Sequence, residues 1–197
     1  MKCVWRSYLL RNSGLMMARM FLVKVVLLAP ISAPGADGAR KNIYANSTAW
    51  TDEQGDSVSL ADLKGKKSVF ALFYTSCKTI CPITAKSIKS IEKALGKKAL
   101  NVQFVLISID PSADKAPQLR QFIQANKIKG WKVLAGNADS AKNLAIELGV
   151  GFEEKRGDPD LHQLHSRSLI VVNELGEITG ELPIFSFDME KAKSLLN

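Results

Sequence analysis

The chain has 197 residues, 46% of them hydrophobic and 23% charged, the make-up of one globular domain with its own core plus a leader. Collagen, coiled coil and general disorder are excluded, and no repeat at a solenoid period occurs. The formal charge of +8 does not argue for nucleic acid, because +5 of it belongs to residues 1–40 and only +3 to the remainder, where scattered lysines from Lys64 onward read as a solvated face.

Lys2, Arg6, Arg11, Arg19, Lys24 and Arg40 make the first segment basic. From Met16 it reads MMARMFLVKVVLLAPISAPGADGA, a basic region, a short apolar run and then small residues and proline. That layout predicts a secretory leader over 1–39, and the charge-free run 25–36 is too short to span a bilayer. An uncleaved amphipathic anchor is the alternative. The domain is expected over 40–197.

Residues 40–57 read as polar and turn-like, with a short strand within 56–63 and a turn at 63–67. Residues 68–74 (SVFALFY) form a continuous apolar run, the mark of a strand buried on both faces. A helix is predicted over 82–95, with Pro82 in its first turn and Gly96 at its exit. A second buried strand at 102–109 stops at Asp110-Pro111. Helices over 115–126 and 138–148 flank an extended stretch at 130–134. A polar loop at 153–164 leads to a hairpin of 168–173 and 177–182, and a last helix covers 188–196. Trp131 reads as core, and Trp50 as core or a partner contact. Strands alternating with helices, then closing with a hairpin and a helix, predict an α/β thioredoxin-like three-layer fold with a central mixed sheet flanked by helices.

Of three cysteines, Cys3 lies in the leader and Cys77 and Cys81 lie four positions apart. So small a loop would stabilise little as a staple, which leaves chemistry. Cys77 follows a buried strand and Cys81 begins a helix. Helix N–H groups and Lys78 are expected to make both thiols ionise more readily than free cysteine. Spaced at i and i+4, the sulfurs can form a disulfide or share a soft metal such as Cu(I), zinc or iron–sulfur. The chain's two histidines, His162 and His165, both precede the strand at 168, on the loop that in this fold approaches the first helix. His165 is nearer the strand and so better fixed.

The segment Phe73-Tyr74-Thr75-Ser76-Cys77-Lys78-Thr79-Ile80-Cys81-Pro82 resembles the metal-binding segment of the Sco/SenC family, thioredoxin-fold proteins that handle copper for respiratory oxidases. Residues 52–66 (DEQGDSVSLADLKGK), Ser108-Ile109-Asp110-Pro111, His165-Ser166 and Asn173-Glu174-Leu175-Gly176 agree with that family in order and spacing. The likeness covers about 47–197. It implies Cys77, Cys81 and His165 as ligands of copper, Cu(I) and also Cu(II). It matches Asp110 to an acid that orients the site, although capping the Pro111 turn is an equal role for that residue. It implies an exported, periplasmic copper chaperone. The client would be a cuproenzyme such as the cytochrome c oxidase subunit with a dinuclear copper centre, and the other partners periplasmic copper carriers or thiol reductants, with no nucleic acid. Three departures leave the client open: Lys78 stands where the family has proline, no membrane anchor is evident, and His162 is an additional potential ligand. Nitrite or nitrous oxide reductase would then be alternatives.

A second function fits the same residues. A thiol-disulfide reductase would attack through Cys77 and resolve through Cys81, keeping a client's copper-site cysteines reduced. Only on that reading is the protein an enzyme. Structural zinc on Cys77, Cys81, His162 and His165 has the right ligand count. A peroxidase lacks its helper residues, and no phosphate loop, Ser/His/Asp triad or paired-carboxylate motif stands out.

Overall fold

In a computed structural model, residues 42–150 and 167–197 are described. The segments expected from sequence to be a leader and a polar loop, with His162 and His165, lie outside them. All described residues belong to the compact unit Gly38–Asn197.

The apolar run after Gly65 becomes β3 (Lys67–Phe73), and every residue from Ser68 to Phe73 is buried. Its side chains alternate between two cores. Val69, Ala71 and Phe73 face one, and Phe70 and Leu72 face the other. Strand β4 (Val102–Ser108) pairs parallel to β3 in the register Phe73↔Ser108 and splits the same way, with Phe104 and Leu106 opposite Val105 and Ile107. Burial on both faces is why neither strand shows a polar alternation. With β1 (Ala49–Thr51) and β2 (Ser57–Ser59) forming a separate antiparallel pair, the main sheet runs β5-β4-β3-β6-β7. In it β5 (Lys132–Leu134) is parallel to β4, while β6 (Ser168–Val172) and β7 (Ile178–Pro183) are antiparallel to their neighbours. The antiparallel hairpin makes the sheet mixed, as the predicted element order requires.

Helices cover both faces. On one lie α1 (Ile80–Leu95), α2 (Ala116–Ala125) and α4 (Met189–Leu196), which contribute Ile88, Ile91, Leu119, Phe122 and Leu196 to a common core. On the other lies α3 (Ala138–Glu147), with Leu144 and Ala145. Side-chain caps start two of them: Asn137 Oδ1 accepts Ser140 N at 2.8 Å, and Asp188 Oδ1 accepts Lys191 N at 3.0 Å. Gly96 ends α1 with φ 56°, a left-handed conformation that glycine adopts without penalty. Among the described residues no helix is long and apolar enough to cross a membrane.

The stretch 40–57, read as polar turn, corrects that expectation. It holds a 3-10 turn (Ile43–Ala45) and strand β1, and it completes the second core with Ile43, Tyr44 and Trp50. Isolated apolar residues in a polar stretch show no period, so only their tertiary partners reveal them. Tyr44 Oη lies 2.8 Å from Ser68 Oγ, and β1 docks on the sheet by Thr51 N to Ala135 O at 2.8 Å and its reciprocal at 2.9 Å. Both Trp50 and Trp131 are core residues; Trp131 Nε1 donates to Glu92 Oε1 at 2.8 Å.

The β6–β7 turn closes against this segment. Gly176 has φ 92°, and a Cβ there would stand 2.2 Å from Asn42 Oδ1 and 2.9 Å from the Tyr44 ring. Gly176→Ala is therefore expected to lower stability by about 2–3 kcal/mol, through left-handed strain and a steric clash together. A urea unfolding midpoint within error of wild type would contradict this.

Candidate metal and thiol site

Strand β3 delivers the chain into a tight turn in which Cys77 N donates to Tyr74 O at 3.2 Å. Helix α1 then begins at Ile80, two residues earlier than the sequence reading, so Cys81 sits within its first turn and Cys77 just outside it. Thr79, at the cap position, makes no side-chain cap bond. The Cys77 sulfur takes that place, accepting Cys81 N at 3.2 Å. Cys77 is thus the acceptor at the mouth of α1, and the two cysteines do not simply share a helix face. Both are free thiols.

That geometry splits the pair. Burial pushes the Cys77 thiol up, but hydrogen bonds from the Cys81 thiol and from the backbone N–H groups of Cys81, Thr79 and Ile80 outweigh it, and the net shift is below an ordinary thiol. Cys81 moves the other way. Burial is the largest cause, followed by its hydrogen bond to Cys77, with the negative charges of Cys77 and Asp114 adding to it. The expectation that both thiols ionise readily therefore holds for Cys77 and fails for Cys81, because a single helix mouth stabilises one sulfur and the second lies beneath it.

Access follows the same division. A groove of about 390 Å³ opens beside Cys77, between the start of α1 and the outer face of α2; Cys77, Lys78 and Pro82 line one wall and Gln118, Gln121 and Asn126 the other. Both sulfurs are buried, Cys77 at 5% and Cys81 at 2% exposed, but only Cys77 lines the groove. One equivalent of iodoacetamide at neutral pH is expected to label Cys77 well ahead of Cys81, since the thiolate is the nucleophile. Equal labelling by peptide mapping would contradict the asymmetry.

Two acids follow β4, and only one of them was singled out from sequence. Asp110 Oδ1 accepts Ser112 Oγ at 2.6 Å and Ala113 N at 3.3 Å, the contacts of a turn cap. Asp114, four residues on and 1% exposed, reaches the cysteine loop instead. Its carboxylate accepts Thr75 N at 3.1 and 3.2 Å, Thr75 Oγ1 at 2.5 Å and Ser108 Oγ at 2.7 Å. Sequence reasoning missed Asp114; a second acid one helical turn after Asp110 was the available signal. His162 and His165 lie outside the described residues, among which no group of three or more His, Cys, Asp or Glu side chains could hold a metal ion.

A mixed five-stranded sheet flanked by helices, with two free cysteines at the mouth of its first long helix, defines a thioredoxin-like protein. The SCO1/SenC family model matches residues 37–195, and the chain belongs to that family. It is 31% identical over 140 residues to the SCO1 protein homolog of Bacillus subtilis, covering 70% of this chain and 72% of the relative. It is 28% identical over 109 residues to a SCO2-like protein of Rickettsia felis, covering 55% and 53%. Among solved structures it resembles Bradyrhizobium japonicum ScoI with copper bound, at TM-score 0.61 and 23% identity, covering 75% of this chain and 94% of that one. BsSco, a member of the Sco family of cytochrome c oxidase assembly proteins in which a disulfide switch was identified, superposes at TM-score 0.63 and 24% identity, covering 74% and 87%. These structural likenesses carry the fold.

Proposed function

We propose that this chain binds copper through Cys77, Cys81 and His165 and delivers it to a respiratory cuproenzyme such as cytochrome c oxidase. On this reading residues 1–39 export a domain of 40–197 to the periplasm. The observation that carries the proposal is the pair of free sulfurs at the mouth of α1, one of them opening to a groove. Two thiolates suit Cu(I), and an imidazole added to them extends the site to Cu(II). Support for His165 comes from its neighbours. Two residues on, Arg167 O accepts Ile184 N at 2.8 Å, and Ile184 O accepts Ser87 Oγ of α1 at 3.4 Å, so the chain after His165 runs beside the helix that carries Cys81. Copper-bound ScoI structures from Bradyrhizobium japonicum and Arabidopsis thaliana, with the same fold, point the same way.

The split between the thiols favours a second reading, a thiol-disulfide reductase acting on a client's copper-site cysteines. The Cys77 thiolate would attack one sulfur of a client disulfide, forming a mixed disulfide and releasing the other client sulfur as a thiolate. Cys81, losing its proton, would then attack the Cys77 sulfur, leaving a Cys77–Cys81 disulfide and the second client thiol. The client, reduced by two electrons, can then accept copper, so the two readings are compatible steps.

The test is titration of the reduced chain with Cu(I) and Cu(II), comparing wild type with His162→Ala and His165→Ala. One tightly held copper, weakened by His165→Ala and not by His162→Ala, is the expected result. Copper held no more tightly than by a small dithiol, with His165→Ala without effect, sinks the metal reading and leaves the reductase, which a Cys77–Cys81 reduction potential then tests.

A further inference from the structure

The groove beside Cys77 is larger than one metal ion or its ligands need. We propose that it is the docking site for the client, received as a short, acidic, extended peptide segment laid along α2; this rests on the delivery or reductase reading above for the client's existence. Three features carry it. The first is access: Cys77 lines the groove and Cys81 does not, so a partner bound there meets the outer sulfur first. The second is length. From Gln118 to Asn126 the helical wall rises about 12 Å, the span of roughly four extended residues, and a volume of about 390 Å³ falls in the range of sites that hold small organic or peptide ligands. The third is chemistry. Among the described residues no acidic side chain lines the groove; Lys78 does, and Lys89 stands at its end, its ammonium on the carbonyl of Asn126. The carboxamides of Gln118 and Gln121 offer both donors and acceptors, which an extended backbone can use without regard to side-chain identity. A cationic rim over an amide wall selects an acidic segment and disfavours a basic one.

The test uses the reduced full-length chain and a fluorescein-labelled peptide, Glu-Glu-Ser-Glu-Glu, in which serine replaces the reacting cysteine so that neither thiol exchange nor metal is involved. Saturable binding that weakens as salt rises is expected. Lys78→Glu, an exposed change that leaves the thermal transition in place, is expected to reduce affinity roughly fivefold or more and to raise affinity for the corresponding Lys-Lys-Ser-Lys-Lys peptide. Lys132→Glu, at the start of β5 and the far end of the parallel strands, is expected to change neither. Absence of binding to wild type overturns the proposal, as does binding that Lys78→Glu leaves intact or that Lys132→Glu weakens equally. Because peptide binding needs no copper, its failure beside a normal copper titration removes the docking site and leaves the copper reading standing; the converse removes the copper reading alone.

Discussion

Cys77→Ala and Cys81→Ala are each expected to abolish stoichiometric Cu(I) binding while leaving the chain folded. A two-thiolate site that loses one sulfur is left with a single soft ligand, and the loss should exceed the roughly 10–100-fold typical of removing an outer-shell partner. Neither change should unfold the protein. The cysteines close no disulfide in this structure, and truncating a small side chain at the edge of the core costs about 1 kcal/mol. The two variants should differ elsewhere. Cys81→Ala retains the depressed thiol and should still alkylate at Cys77, more slowly, because the hydrogen bond from the Cys81 thiol is among the influences that lower it. Cys77→Ala should leave a sluggish Cys81. The pH dependence has a definite sign. Copper takes thiolates, so binding displaces thiol protons, chiefly from Cys81, whose thiol is pushed up by burial. Apparent affinity should therefore rise with pH, by about tenfold per pH unit for each proton displaced. Competition titrations at several pH values read this directly, and a pH-independent affinity would show that the cysteines are not the ligands.

Asp114→Ala is expected to destabilise the fold by about 2–4 kcal/mol. The carboxylate is 1% exposed and accepts from the Thr75 backbone N–H and from the hydroxyls of Thr75 and Ser108. Deleting it leaves the buried Ser108 hydroxyl and the half-buried Thr75 donors without the acceptor they share. Asp114→Asn should cost less, because its remaining carbonyl oxygen can keep the Thr75 N–H and both hydroxyls can turn to accept. The two variants separate structure from positioning. Asp114 acts on the site by holding the turn that leads to Cys77, and its charge is one of the influences that push Cys81 up. Asp114→Asn should thus bring Cys81 reactivity to lower pH even where the unfolding midpoint barely moves. An unchanged pH profile of Cys81 alkylation in a folded Asp114→Asn chain would reduce Asp114 to a purely structural part.

Much of this molecule could be read from local pattern. SVFALFY and VQFVLISI became β3 and β4 within a residue of expectation, Gly96 ended α1, and the hairpin and last helix followed in order. A strand buried on both faces, a helix with an apolar stripe and a glycine at its exit are each written in consecutive residues. The cysteine pair at the end of a buried strand was legible for the same reason, and so was family membership. Asp110 shows the limit. It bears the motif resemblance and caps a turn, while Asp114, which no motif marked, bonds directly to the cysteine loop. That link spans 39 positions and exists only because β3 and β4 pair in parallel, so that Phe73 and Ser108 end side by side.

Local pattern was enough to give the order of elements, the thioredoxin-like class and the place of the cysteine pair, because these follow from short-range periodicity and from where a buried run stops. Packing set the Cys77 thiol below and the Cys81 thiol above an ordinary one, tied Asp114 to the cysteine loop, drew Trp50 and Tyr44 into the core and opened a groove beside Cys77. Each of those depends on burial and on groups brought together from distant positions. The local dielectric, the aim of helix N–H groups and the space between two packed helices are properties of the packed whole, and no window of consecutive residues contains them.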